Sequence, residues 1–276
     1  MEQHFAIIGM ATVAEGVPLY YDGFNEKGLC MAGLLFAGNA VYLPKQPEQY
    51  NVAPYELIPW ILGQCPDLKA ARALLERVNL LHLPFSAAFP LSPLHWIIAD
   101  KTGALTLEPT AEGLIIYENP VGVLTNNPPF DYQMTHLADY LSLTAHFPAD
   151  RFTEQGTLSP YSRGMGAMGL PGDWSSASRF VRAAFAKEHA PKDAGVSDFF
   201  HLLDAVAVPQ GVALSKEGIP IITRYSCCCA PADGVYYYTS YENRAVTAVS
   251  FSHENLEATR PISYSLLKKE AIQQQN

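Results

Sequence analysis

Charge is scarce in this sequence, and positive charge scarcest: only 16% of the 276 residues are charged, with 18 basic against 27 acidic side chains. That balance disfavours a nucleic-acid partner, because phosphate binding consumes Lys and Arg, and no basic stripe offsets the net charge of −9. Cysteine is sparse too. Cys30, Cys65, Cys227, Cys228 and Cys229 are odd in number and lack the spacing of a small disulfide framework, so a reducing, cytoplasmic setting is expected. No apolar run approaches the ~18 residues needed to cross a bilayer, which predicts no membrane insertion. The opening MEQHFAIIGMATVAEG has no basic n-region and is interrupted early, so it does not read as a signal peptide. Low-complexity linkers and internal repeats are absent. What remains is a chain that is 49% hydrophobic, ample for a packed core.

The apolar pattern changes period along the chain. Residues 4–12, 17–24 and 28–36 are short apolar runs separated by turn residues and predict three sequential strands. Residues 55–65 and 67–78 carry apolar side chains at helical spacing, with Asp67 as the N-cap of the second helix. LHWIIAD, GALTLEPT, GLIIYEN and VGVLT predict four strands before residue 126. Three helices are expected at 130–141, 175–189 and 196–208, then strands within 221–231, 234–243 and 245–251. Strands and helices alternate in blocks without a break, which favours one layered domain over 1–276.

Three local motifs are set aside by their context. Gly164, Gly166 and Gly169 match G-x-G-x-x-G, but Pro171 and Gly172 follow where a dinucleotide site needs a helix, so a glycine-rich surface loop is expected. Cys227 and Cys229 share one face of a strand, and two sulfurs do not make a tetrahedral metal site; no metal is expected. Ser265 and Lys268 form S-x-x-K in a polar tail without the companion motifs of penicillin-recognising serine enzymes. No G-x-S-x-G elbow is present. The eight histidines are scattered, and one such as His95 reads as a packing or surface residue.

Four blocks carry a resemblance. YDGFNEKGLCMAGLLF at 21–36, GVLTNNPPFDYQ at 122–133, GLPGDWSSASRFVR at 169–182 and YYYTSYEN at 236–243 resemble, in order, the DGMNEKGL…AGL, GVLTNSPTFDW, GLPGDFTPASRF and YYYNTYEN blocks of choloylglycine hydrolases. This family comprises the bile salt hydrolases and penicillin V acylases, and the similarity runs through nearly the whole chain. It implies an α+β fold, the αββα sandwich of N-terminal-nucleophile hydrolases. It also implies an amide hydrolase without a cofactor, acting on a small molecule: a conjugated bile salt or another N-acyl amide. An N-terminal cysteine attacks through its thiol while its own α-amine, with a pKa near 7.7–8.0, serves as base.

The resemblance places Asn126 as a donor to the oxyanion of the tetrahedral intermediate and Arg179 beside the nucleophile, where its charge stabilises a thiolate. Read without the family, Asn126 is a turn residue and Arg179 an exposed helix arginine. Leu35 stands where bile salt hydrolases usually carry Asn and penicillin V acylases often Tyr; its backbone N–H is the expected second oxyanion donor. Phe85 and Phe89, in HLPFSAAFP, are expected to line the acyl pocket, or else to pack in the core. At the start the chain departs from the pattern. Glu2 follows Met1, and residues 4–12 resemble the family's third strand region. The sandwich is therefore expected to lack its first strands, with the nucleophilic Cys, and the 276 residues alone to be inactive. Cys30, inside a strand and without a free amine, is no substitute. A penicillin V acylase, a non-catalytic binder of amphipathic acids and an enzyme completed by a hairpin from another chain are the competing readings; a homo-oligomer is compatible with all.

Overall fold

The computed structural model describes residues 4–276, so Glu2 lies outside the described residues. Strands β1 (Ile7–Ile8), β2 (Ala11–Ala14), β3 (Val17–Tyr20), β4 (Asp22–Asn25) and β5 (Cys30–Leu35) come first. The three expected strands are thus five. The breaks fall where two chains cross closely: a Cβ on Gly9 would overlap the Asp22 carbonyl oxygen, and one on Gly23 would sit 2.6 Å from that of Ile8. Only glycines permit that approach. The β2–β3 hairpin consequently turns away as a separate ribbon.

A short parallel pair that the sequence pattern does not announce, β6 (Tyr50–Val52) with β7 (Val78–Leu80), brackets helices α1 (Leu57–Leu62) and α2 (Leu68–Leu75). Asp67 caps α2 as expected, its carboxylate accepting the Ala70 N–H at 2.8 Å. The helix stops at Leu75 rather than reaching residue 78, because Val78 is spent on β7. Next come β8 (Leu94–Asp100), β9 (Gly103–Thr110) and β10 (Gly113–Glu118). VGVLT is not a strand. Pro120 lacks an N–H, Gly122 takes φ +60, and the buried Asn119 side chain binds the Gly122 N–H at 2.7 Å and the Val123 carbonyl at 2.9 Å in place of a ladder. Helices α3 (Phe130–Leu137), α4 (Ser176–Glu188) and α5 (Val196–Asp204) and strands β11 (Tyr225–Ala230), β12 (Val235–Ser240) and β13 (Thr247–Ser250) complete the order. The RGMGAMG stretch is a loop with one 3₁₀ turn, as its context predicts.

These elements form the four layers of an αββα sandwich. One sheet is antiparallel in the order β1-β4-β5-β8-β9-β10; the other is β11-β12-β13. Trp96, Ile98, Leu105 and Leu107 on the outer face of the large sheet pack against Leu57, Ile61, Ala71 and Leu75 of α1 and α2. The opposite face meets the small sheet through Phe24, Tyr236, Tyr238 and Phe251, with Cys30, Cys227 and Cys229 beside them. All five cysteines are free. On the far side α5 packs on β11, and α4 packs on α3 and α5. Among the described residues no helix is long and apolar enough to cross a membrane.

Strand β4 is buried on both faces and joins the layers. On the inner face the Asp22 carboxylate accepts the Tyr236 hydroxyl at 2.6 Å and that of Tyr225. On the outer face Asn25, fully buried, donates to the carbonyls of Leu62 at 2.7 Å and Cys65 at 2.8 Å. Replacing Asp22 by Ala strands two tyrosine hydroxyls in the interior, and a buried donor without a partner costs about 1–3 kcal/mol. Urea unfolding of the chain is expected to show a loss of roughly 3 kcal/mol for Asp22→Ala and a clearly smaller loss for Asp22→Asn; equal losses would show that the hydroxyl contacts contribute nothing.

Candidate active site

Three of the residues singled out from sequence, Leu35, Asn126 and Arg179, meet at the end of β5, although 91 residues separate the first two and 53 the last two. The Asn126 Nδ2 donates to the Leu35 carbonyl at 2.8 Å, and the Arg179 Nη2 donates to the Asn126 Oδ1 at 2.8 Å. A guanidinium only donates and a carbonyl only accepts, so the Asn126 carboxamide has one orientation, with its N–H groups toward Leu35.

The backbone of Leu35 faces the same space. Gly33 N–H donates to Tyr21 on one side of β5 and Phe36 N–H to Pro93 on the other. Alternation along a strand then turns the Leu35 N–H and C=O to the β4 side. Strand β4 pairs no further along β5 than Ala32, opposite Asp22, so its ladder does not cover Leu35. A backbone N–H and a carboxamide N–H therefore look into one gap. Such a pair of fixed donors suits an anionic oxygen.

The loop that carries Asn126 is stitched to the start of α4. Asn126 N–H donates to the Ser176 hydroxyl at 2.7 Å, that hydroxyl donates to Thr125 Oγ1 at 2.9 Å, and Thr125 Oγ1 donates to the Ser176 carbonyl at 3.0 Å. Helix α4 begins at a Ser175 cap, and Asp173 accepts the Ser175 N–H at 2.9 Å and the Ser178 hydroxyl. Those hydroxyls and that amide hold the Asp173 carboxyl well below the usual carboxylate range. Arg179 lies one turn in, half-buried. Burial, and then the charge of Arg182, lowers its pKa, yet a guanidinium stays cationic. Its Nε donates to the Trp174 carbonyl at 3.3 Å, and beside Trp174 opens a cavity of about 300 Å³ bordered by Val208, Tyr225 and Arg244.

Phe85 and Phe89 do not join this network. They pack edge to face on each other, and Phe85 packs on Tyr55, with ring centroids 6.1 and 5.2 Å apart. Their loop nevertheless runs into β8 at Leu94, the register partner of Leu35, and a concavity of about 430 Å³ lined by Val41, Tyr42, His82, Leu91 and Pro93 lies along it. Cys30 is five residues from Leu35, about 17 Å along an extended strand, and cannot serve this site. His95, read from sequence as a packing or surface residue, and Glu108 stand directly behind it. His95 and Glu108 are buried in the sheet, and His95 Nε2 donates to the Thr125 carbonyl at 2.7 Å. In sequence they are a lone histidine and a lone glutamate, 13 residues apart, with nothing to show that they meet.

The family model for linear amide C–N hydrolases of the choloylglycine hydrolase family matches residues 1–264. The chain is 48% identical over 270 residues to a bile salt hydrolase/transferase of Lactiplantibacillus plantarum, covering 96% of this chain and 83% of that one. It is 34% identical to a bile salt hydrolase/transferase of Clostridium perfringens, covering 99% and 84%. The crystal structure of a mutant of the conjugated bile acid hydrolase from Clostridium perfringens superposes with a TM-score of 0.93 at 33% identity, covering 99% of this chain and 84% of that one. Penicillin V acylase from Agrobacterium tumefaciens, at 21% identity and a TM-score of 0.65 over 84% of this chain and 66% of that one, shares the fold.

Ser176→Ala removes the acceptor of the Asn126 N–H and the partner of Thr125. A loss of about 1–2 kcal/mol is expected in urea unfolding, with the sheets intact by circular dichroism; an unchanged midpoint would show that the loop is held without this stitch.

Proposed function

The chain belongs to the choloylglycine hydrolase family of linear amide C–N hydrolases, and from that premise we propose that it hydrolyses the amide bond of glycine- and taurine-conjugated bile salts. The observation that carries this reading is the gap shared by the Leu35 N–H and the Asn126 Nδ2, with Arg179 fixing the carboxamide from behind. In the proposed reaction the scissile carbonyl oxygen enters that gap and displaces the Asn126–Leu35 contact. When a thiolate adds to the carbonyl carbon, the oxygen becomes an oxyanion between the two donors, each worth about 3–4 kcal/mol in the barrier. Arg179 offsets the added negative charge and keeps Asn126 from turning. Collapse expels glycine or taurine as its nitrogen takes up the proton that the α-amine removed from the thiol, and water releases the bile acid from the thioester.

The family's attacking thiol stands at a chain N-terminus. We assign Leu35, Asn126 and Arg179 to the reacting centre and Phe85 and Phe89 to the wall on which the acyl group rests. A bulky steroid buries more apolar area on that wall than a phenoxyacetyl group, at about 25 cal/mol per Å². The exposed side chain of Leu35, in place of an amide or phenol, makes that end of the pocket more apolar still. The free state of all five cysteines supports a cytoplasmic enzyme.

Steady-state kinetics of the protein expressed from its full natural reading frame test the proposal. Conjugated bile salts are expected to be cleaved with a higher kcat/KM than penicillin V; a tenfold preference for penicillin V, about 1.4 kcal/mol, would overturn the substrate assignment. Asn126→Ala is expected to lower kcat by roughly 10²–10³-fold with little change in KM, and an unchanged kcat would remove Asn126 from the reacting centre.

A further inference from the structure

His95 and Glu108 face each other from β8 and β9 across the inner side of the large sheet, and neither is exposed by more than 1%. His95 Nδ1 lies 3.2 Å from Glu108 Oε1, and that same oxygen accepts the Phe130 N–H at 3.0 Å. On its other side the imidazole donates from Nε2 to the Thr125 carbonyl at 2.7 Å, and the Phe36 ring stacks flat on it at 4.3 Å between centroids and 5° between planes. Thr125 precedes Asn126, and Phe130 opens α3. The pair therefore grips both ends of the short segment that presents Asn126. We propose that His95 and Glu108 are positioning residues, a buried relay that sets the Asn126 carboxamide opposite Leu35 through the Thr125 carbonyl; the catalytic part of this rests on the reading of Asn126 given above.

Two features favour positioning over mere packing. An ionisable pair buried in a sheet is no more stable than well-packed apolar residues, so its presence is not explained by stability. The bonds also fix donor and acceptor at both outer ends of the pair. The Thr125 carbonyl only accepts, so Nε2 carries a hydrogen. The Phe130 N–H only donates, so Oε1 accepts it. The remaining Nδ1–Oε1 contact must then hold a proton, on the nitrogen as imidazolium beside carboxylate or on the oxygen as imidazole beside carboxylic acid. Without that proton two lone pairs would meet.

This arrangement separates two conservative substitutions of His95. A glutamine can place its Nε2 where the imidazole Nε2 was and still donate to Thr125. An asparagine can place its Nδ2 at the Nδ1 position and satisfy Glu108, but it releases Thr125. If the pair only fills and neutralises the core, Asn serves at least as well as Gln. If it positions Asn126, Gln serves and Asn does not. In the protein expressed from its full natural reading frame, His95→Asn is expected to lower kcat for a glycine-conjugated bile salt by roughly 30-fold or more with KM within about threefold, and His95→Gln to stay within about fivefold. Adding His95→Asn to Asn126→Ala is expected to cost nothing further, because the two act on one donor. Equal kcat for the Asn and Gln variants, or a fully additive double mutant, would overturn the relay. An Asn126→Ala variant with full activity would instead overturn the oxyanion reading, and the relay is then judged by crystal structures alone. In His95→Asn, or in the double variant His95→Leu/Glu108→Gln should the former fold poorly, the Asn126 Nδ2 is expected to leave the Leu35 carbonyl while the sheets stay in place. An Asn126 that keeps its 2.8 Å contact in either variant would overturn the proposal.

Discussion

A single buried carboxylate holds the two sheets in register. Asp22 is taken out of water almost entirely, and that burial pushes its pKa up while the hydroxyls of Tyr225 and Tyr236 and the Cys227 thiol pull it down. The tyrosines respond in kind, driven upward by their own burial and by the Asp22 charge. Neither partner tolerates the other's loss, so the sheets cannot slide without stranding a charge or two hydroxyls. Because Asn25 grips the end of α1 from the opposite face of the same four-residue strand, three of the four layers are indexed to β4.

That indexing reaches the proposed reacting centre through one hairpin. Strand β5 follows β4 after a tight turn closed by Gly28, φ +97, in which the Asn25 Oδ1 accepts the N–H groups of Lys27 and Leu29. Leu35 is delivered at a fixed height in the sheet. Asn126 reaches it from a loop clamped by α4 on one side and by β8 and β9 on the other, and Arg179 arrives on the first turn of that same helix. The two donors are thus carried on rigid elements even though Asn126 itself sits in a loop, the fixed arrangement that the proposed oxyanion role requires.

Much of this was legible in the residues, for reasons that differ by element. Helices α1, α2, α4 and α5 follow from apolar spacing and, for α2, from its Asp67 cap, interactions confined to a few neighbouring residues. Leu35, Asn126 and Arg179 came from block resemblance; no periodicity marks them, and their meeting depends on contacts 53 and 91 residues apart in sequence. The failures share a cause. VGVLT has strand composition, but its strand partner is replaced by one asparagine side chain, and β1 to β4 are cut by a close crossing of two glycines that no propensity encodes. His95 stayed hidden because a lone histidine carries no sign of a glutamate on the next strand.

The three tryptophans occupy three different optical environments. Trp96 is sealed in the core, against Gly33 on one side, where a Cβ would come within 3.1 Å of its Nε1. An indole so enclosed is expected to emit as in hydrocarbon and to shift when the sheet beneath Leu35 opens. Trp60 is half-buried beside Tyr50, and Trp174 lies under the Arg182 guanidinium at 5.5 Å, at the edge of the cavity next to Arg179. Light from one indole is thus expected to report unfolding, and light from another to report changes in the cavity beside Arg179 and Arg182. The molecule carries its own pair of fluorophores, one in the scaffold and one beside the proposed site.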